Sequence, residues 1–225
     1  MNSIKEWKSK VKEYNSDLCK KLENESTKKE LYYGFEVFDG KIIENPEILY
    51  IGINPGKGNE IKNRNIFETE RISYLDFFDE DYRYHLAEKT IKFLRAIWSD
   101  ERIKKTLSES TMKTNFYHLA TENVSDLNSV LSDINYNKEY FNKSAEFSIS
   151  LIEILKPTLV ILEGKSVFDY IIGECYQKKV WNSEHKYGHY FDKKNNTHIL
   201  GYSRERGYSA EHYNHFSLKI KEILG

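Results

Sequence analysis

Cysteine is nearly absent. The chain has 225 residues and only two cysteines, Cys19 and Cys175, far apart in sequence. Two thiols exclude a disulfide framework and any four-cysteine metal site. There are only three prolines, and no apolar run reaches the roughly 18 residues that a transmembrane helix needs. The stretch from Met1 to Lys12 is studded with charge and lacks the apolar core of a signal peptide. Together these absences predict a soluble, cytoplasmic protein in a reducing compartment. Neither charge dominates: 34 Lys and Arg against 35 Asp and Glu give a net charge of −1. With no global basic field, a nucleic-acid partner requires a local patch or a specific motif.

Aromatic residues are plentiful, at 14% of a chain whose hydrophobic share is 39%. That excludes disorder and supplies large buried surfaces despite a mean hydropathy of −0.69. A chain of this length can bury a core without covalent staples. No internal repeat or low-complexity linker divides it, so a single domain is expected over 1–225.

Hydrophobic spacing gives the elements. Trp7, Val11, Tyr14 and Leu18 recur on one face of a helix over Lys5 to Leu22. Leu31 to Phe38, then Asp39-Gly40 and Ile42-Ile43, read as strand, turn and strand. Residues 1–45 are thus expected as a helical and hairpin extension on a 46–225 core. In that core Glu47 to Ile53, Met112 to His118, Thr158 to Leu162 and His198 to Tyr202 read as buried strands. Helices over Tyr84 to Trp98, Tyr140 to Leu155, Gly164 to Ile172 and Ser209 to Leu224 separate or follow them. The alternation predicts an α/β fold: three layers, α/β/α, around a four-stranded, mostly parallel sheet. Ligands of such sheets sit beyond the carboxyl ends of the strands. Those ends carry Asn54-Pro55-Gly56, Tyr117-His118, Glu163-Gly164 and Ser203-Arg204.

The loop from Gly52 to Asn59 (Gly-Ile-Asn-Pro-Gly-Lys-Gly-Asn) is the most informative stretch. Its glycines allow backbone N–H groups to approach a ligand closely. It fails the phosphate-binding P-loop pattern, because only three residues precede its Gly-Lys pair and Gly58 follows Lys57. A plain strand-to-helix turn is the other reading of spacing alone.

Gly-Ile-Asn-Pro-Gly at the end of a buried strand resembles the first motif of the uracil-DNA glycosylase superfamily, in the form found in its mismatch-specific and single-strand-selective branches. Thr114-Asn115 resembles the family's strand ending in Asn, and the run from Lys156 to Gly164 resembles its Lys-Pro, apolar strand and Gly segment. The similarity spans Glu47 to the C-terminus. It implies a uracil-DNA-glycosylase-like fold and a monofunctional DNA glycosylase. Such an enzyme hydrolyses the N-glycosidic bond of a flipped damaged, mispaired or modified base and leaves an abasic site. By position, Asn54 orients the attacking water and Asn115 reads the base edge. Gly52, Ile53, Pro55 and Gly56 lie against the base, and Phe67 stacks on it. The family's second motif departs here: the chain reads Gly201-Tyr202-Ser203-Arg204-Glu205-Arg206-Gly207, with Ser203 matching the motif's Ser and no His. Tyr202 is then expected to contact the base, while Lys57, Arg204 and Arg206 hold DNA, with Lys62 and Arg64 nearby. The expected partner is DNA, single- or double-stranded, bound by a monomer without metal or cofactor. The iron–sulfur branches are excluded because they need four cysteines.

An Asn cannot act as a strong general base; it orients water through its carbonyl oxygen. The Asn54 form therefore implies slower chemistry than an Asp-bearing one. Six acidic residues between Glu68 and Asp81 would repel a phosphate backbone unless they face away. They keep a second reading open, a catalytically inactive binding module on the same fold for nucleic acid, a nucleotide or a protein. Repair and defence against foreign DNA are both compatible roles. The pairs His185/His189 and His212/His215 have helical metal-ligand spacing, but they also suit a helix surface. The aromatics from Tyr74 to Tyr84 suit either a core or a base-stacking surface.

Overall fold

The computed structural model describes residues 3–56, 64–79, 85–204 and 208–225. Helix α1 (Ile4–Glu25) begins at Ser3, whose hydroxyl accepts the Glu6 N–H. It leads through a 3₁₀ turn (Lys29–Leu31) to strand β1 (Tyr32–Phe38) and then β2 (Ile48–Gly52). Next come β3 (Arg64–Glu68), a 3₁₀ segment (Ser73–Phe78), α2 (His85–Arg95), α3 (Asp100–Glu109), β4 (Thr111–Asn115) and β5 (Leu119–Thr121). Helices α4 (Val124–Asp133) and α5 (Asn137–Leu155) precede β6 (Leu159–Glu163). Helix α6 (Lys165–Phe168) continues into a π-helical segment (Asp169–Cys175). Strands β7 (Trp181–Asn182), β8 (Tyr187–Asp192), β9 (Thr197–Tyr202) and helix α7 (Ala210–Leu224) complete the chain.

Among the described residues all nine strands form one sheet, in the order β3-β1-β4-β2-β6-β9-β8-β7, with β5 also paired to β1. Its centre, β4-β2-β6-β9, is wholly parallel. Strands β4, β2 and β6 are buried at every position, as strands covered on both faces must be. Alternation splits their side chains. Leu49, Ile51, Met112, Val160, Leu162 and Ile199 join a core under α1, α4 and α5. Ile48, Tyr50, Leu159, Ile161 and Leu200 join a second core with α2, α3 and α7. Helices on both faces of one largely parallel sheet are compatible with the expected three-layer arrangement.

The four strands read from the sequence are this parallel centre. The expected four-strand limit is corrected, because β1 and β3 extend one side and β8 and β7 the other. The expected hairpin through Ile42-Ile43 does not form. β1 instead pairs antiparallel with β4 and β5 and parallel with β3. Nor are residues 1–45 an appendage. Trp7 is buried in the first core and donates its indole N–H to Phe147 O of α5 at 3.0 Å. The expected Met112–His118 strand breaks at Phe116. There the chain stays beside the β2 loop, with Phe116 and Tyr117 N–H bonded to Gly52 and Ile53 carbonyls at 2.8 and 2.9 Å. His185 and His189 do not share a helix face, since His189 lies on β8 and bonds His198 of β9 across the pair at 3.0 Å.

Candidate functional site

The four parallel strands end in one row. Gly52 pairs with Asn115, and Glu163 pairs with Tyr202; β2 and β6 join the halves in register through Ile51 and Leu162. Gly52, Asn115, Glu163 and Tyr202 therefore fall on the same face of the sheet. Above this row opens a cleft of about 720 Å³. Gly52, Ile53, Asn54, Pro55, Gly56, Asn115 and Arg204 line it, together with Asp39, Arg71, Ser73, Lys113 and the start of α4 at Asn123-Val124.

Asn54 is held by its amide nitrogen. Nδ2 donates to Pro55 O at 3.1 Å and faces Thr121 Oγ1 at 3.0 Å and Thr121 O at 3.4 Å. Two of those neighbours are carbonyl oxygens, which accept only, so the orientation of the amide is fixed. Asn54 Oδ1 accepts no bond from any described residue. The loop itself is tied down by Thr121 N–H, which donates to Pro55 O at 3.2 Å.

Asn115 is 7% exposed and lines the cleft, and its side-chain amide makes no hydrogen bond with any described residue. Its Oδ1 lies 2.5 Å from the point where a Cβ on Gly52 would stand. A side chain at position 52 would push that amide aside. Glu163 Oε2 lies 3.4 Å from the same point.

A charged wall flanks the row. Lys113 and Asp39 form an ion pair with almost no solvent exposure, and Asp39 also accepts the Ser73 backbone N–H at 2.8 Å. Lys113 Nζ sits 4.5 Å from the centre of the Tyr74 ring. The Tyr74 hydroxyl donates to Glu163 Oε1. Burial holds the Glu163 carboxyl above the usual carboxylate range, against the opposing pull of Lys113, the Tyr74 hydroxyl and Arg204. Arg204 is exposed and packs its side chain over Gly164, and Lys89 donates to its carbonyl at 3.4 Å. Burial, and then Arg204, lower the Lys89 pKa.

No family model and no curated protein matches this chain.

Of the residues singled out from sequence, seven meet in the cleft: Gly52, Ile53, Asn54, Pro55, Gly56, Asn115 and Arg204. Three lie elsewhere. Phe67, expected to stack on a base, sits on β3 against Phe38 with Lys8 over its ring, and does not line the cleft. Tyr202, at the end of the row, is buried against Phe93 and Phe216 and does not line the cleft. Ser203 is 2% exposed, and its backbone N–H bonds Lys186 O at 3.0 Å. Lys57, Lys62 and Arg206 lie outside the described residues.

The acidic stretch does not simply face away. Arg71 binds Asp76 at 2.7 Å and Asp79 at 2.8 Å, and the Arg71–Asp76 pair lines the cleft. Tyr74 is fully buried, and Phe77 and Phe78 pack on the second core, so the described aromatics of this stretch are core. Among the described residues no cluster of three or more metal-ligating side chains occurs. His212 instead caps α7 through Ser209, and His185 stacks on His215.

Sequence reasoning missed Asp39 and Lys113, read Tyr74 only as core or stacking surface, and had Glu163 only as one of the strand-end candidates. The signal available was strand parity: Lys113 and Glu163 occupy the same face as Asn115 and Gly52.

Proposed function

We propose that the protein is a DNA glycosylase that hydrolyses the N-glycosidic bond of a flipped base, on a uracil-DNA-glycosylase-like fold. The observation that carries this reading is the fixed amide of Asn54. Its nitrogen is spent on Thr121 and Pro55, and its carbonyl oxygen is left as an acceptor at the cleft above the Gly52–Asn115 pair. A water donating to Asn54 Oδ1 is held with a lone pair free to attack the anomeric carbon. The new C–O bond forms as the C–N bond breaks. The electron pair departs with the base, and the proton of the water passes to the base or to solvent. Asn115 offers a donor or acceptor to the base edge, and charge developing on the base is stabilised by such a donor. Arg204, exposed at the mouth, suits a phosphate.

The test is a panel of single- and double-stranded DNAs holding uracil, G·T mispairs, hypoxanthine and modified cytosines, read by alkaline cleavage at abasic sites. Product from one substrate, reduced at least a hundredfold by Asn54→Ala, is the expected result. No product on any substrate overturns the reading.

A second reading is favoured by the four carboxylates that line the cleft, Glu36, Asp39, Asp76 and Glu122. Lys113 and Arg71 in the same lining are already paired with Asp39 and Asp76, which commits two of the cleft's cations and suits a binding module for a nucleoside or a nucleotide. Binding of deoxynucleosides without turnover would single it out.

A further inference from the structure

Two cations are held together at the mouth of the cleft. Lys89 Nζ donates to the Arg204 carbonyl at 3.4 Å. The Arg204 side chain lies across Gly164, with its Cδ 3.3 Å from where a Cβ on that glycine would stand. The φ of Gly164 is +127°, a conformation that favours glycine. Lys89 is thus tethered through its ammonium and Arg204 along its aliphatic stem. Among the described residues no carboxylate forms an ion pair with either. The other cations of the cleft are committed, Lys113 to Asp39 and Arg71 to Asp76.

We propose that Lys89 and Arg204 together form a phosphate site, which takes the phosphate attached to the nucleoside whose base occupies the cleft, in a DNA strand or in a free nucleotide. The inference rests on the reading of the cleft as a site for a nucleotide's base, but it does not require that the bond be cut.

The placement suits that ligand. Arg204 lines the cleft and is exposed, so an anion reaches it from solvent. Leu86 of α2 also lines the cleft, and Lys89 stands one turn further along the same face. The acidic residue beside it, Glu88, points about 100° round the helix and acts on Tyr213 of α7. A guanidinium offers a planar fork to two phosphate oxygens, and an ammonium offers a point charge to a third. Two like charges this close oppose each other, and the strain shows on Lys89, whose pKa is lowered by burial and then by Arg204. A phosphate between them turns that repulsion into two attractions. Lys89 is only partly exposed, which reduces the screening of its charge.

The experiment uses the full chain and two probes. One is a short fluorescent single-stranded oligonucleotide with one uracil, followed by anisotropy across salt. The other is 2′-deoxyuridine 5′-monophosphate, compared with 2′-deoxyuridine by calorimetry. Lys89→Gln and Arg204→Gln should each weaken oligonucleotide binding roughly fivefold at low salt and flatten its salt slope by about 0.7. Because both hold one phosphate, the double variant should lose less than the product of the single losses. Lys89→Arg should restore most of the binding. Lys12→Gln, at an exposed position on α1, should leave the slope unchanged. The probes separate the two sources of phosphate. Losses on the oligonucleotide assign a strand. Tighter binding of the monophosphate than of the nucleoside, lost in both single variants, assigns a free nucleotide. Either supports the site. Binding of both probes that ignores Lys89 and Arg204, single losses that multiply in the double variant, an equal loss in Lys12→Gln, or no binding of either probe overturns it. Abasic product on the oligonucleotide is scored separately. Product from a protein whose binding ignores Lys89 and Arg204 fells the inference alone. The expected losses without product fell the glycosylase reading alone.

Discussion

Lys113 reaches from β4 to the carboxylate of Asp39 just beyond β1, and the two side chains are only 6% and 9% exposed. The strands reinforce the contact, since Asp39 N–H donates to Lys113 O at 3.0 Å. Removing one partner of a buried pair strands the other charge. Lys113→Met is therefore expected to cost about 3–5 kcal/mol, and the double variant with Asp39→Asn less than that. Urea unfolding measures both. A single-variant loss below about 1 kcal/mol would show that Ser73 and water suffice for Asp39.

Asn54→Asp looks from sequence like a gain, because a carboxylate is a better base than an amide. The structure predicts a loss. An aspartate would turn an oxygen toward the carbonyls of Pro55 and Thr121. The Thr121 hydroxyl cannot help, since its proton goes to Asn123 O at 2.8 Å. Thermal melts should show destabilisation of about 1–3 kcal/mol, with abasic-site formation no faster than in the unsubstituted protein. A faster variant of unchanged stability would contradict this geometry.

The parallel centre was legible because burial on both faces leaves an unmistakable apolar run, as in Glu47 to Ile53 or Thr158 to Leu162. The outer strands were not. β1 is set by partners far along the chain, Thr114, Leu119 and Arg64 to Glu68, and no local turn announces them. β8 reads as scattered His, Tyr and Gly. Its Gly188 is required because Phe168 packs where a Cβ would stand, 2.2 Å from the ring. In the cleft, the Gly52–Gly56 loop and Asn115 could be read from their residue types. Glu163 and Lys113 could not be read as one network, because their encounter depends on strand order. Phe67 was misplaced for the same reason: its strand runs along β1, at the far side of the sheet from β6.

Gly52→Ala isolates the floor of the cleft. Its Cβ would stand 2.5 Å from Asn115 Oδ1. That atom ends a side chain with no described hydrogen bond, so it can yield. Stability should change little, by less than about 1 kcal/mol, whereas displacement of Asn115 by about 1 Å should lower base affinity or turnover ten- to a hundredfold. Equal activity in the variant would remove Asn115 from base contact.

His118 gives the fold an acid limit. It is buried with Phe147 stacked on its ring, and Nδ1 faces Asn15 Nδ2 at 3.1 Å. The Asn amide nitrogen can only donate, so Nδ1 accepts and the imidazole is neutral. Burial lowers its pKa from 6.5 to about 3. The unfolded chain therefore binds this proton first. Stability from His118 is complete above about 6.5, declines as pH falls, and is lost at about 3, amounting to at most about 5 kcal/mol. His189, lowered by burial to about 4, adds a smaller contribution over the upper part of that window, being only partly buried. His118→Gln keeps an acceptor for Asn15 and cannot titrate. Urea midpoints between pH 7 and pH 3 should fall less steeply in that variant than in the unsubstituted protein. Parallel curves would place the acid sensitivity elsewhere in the fold.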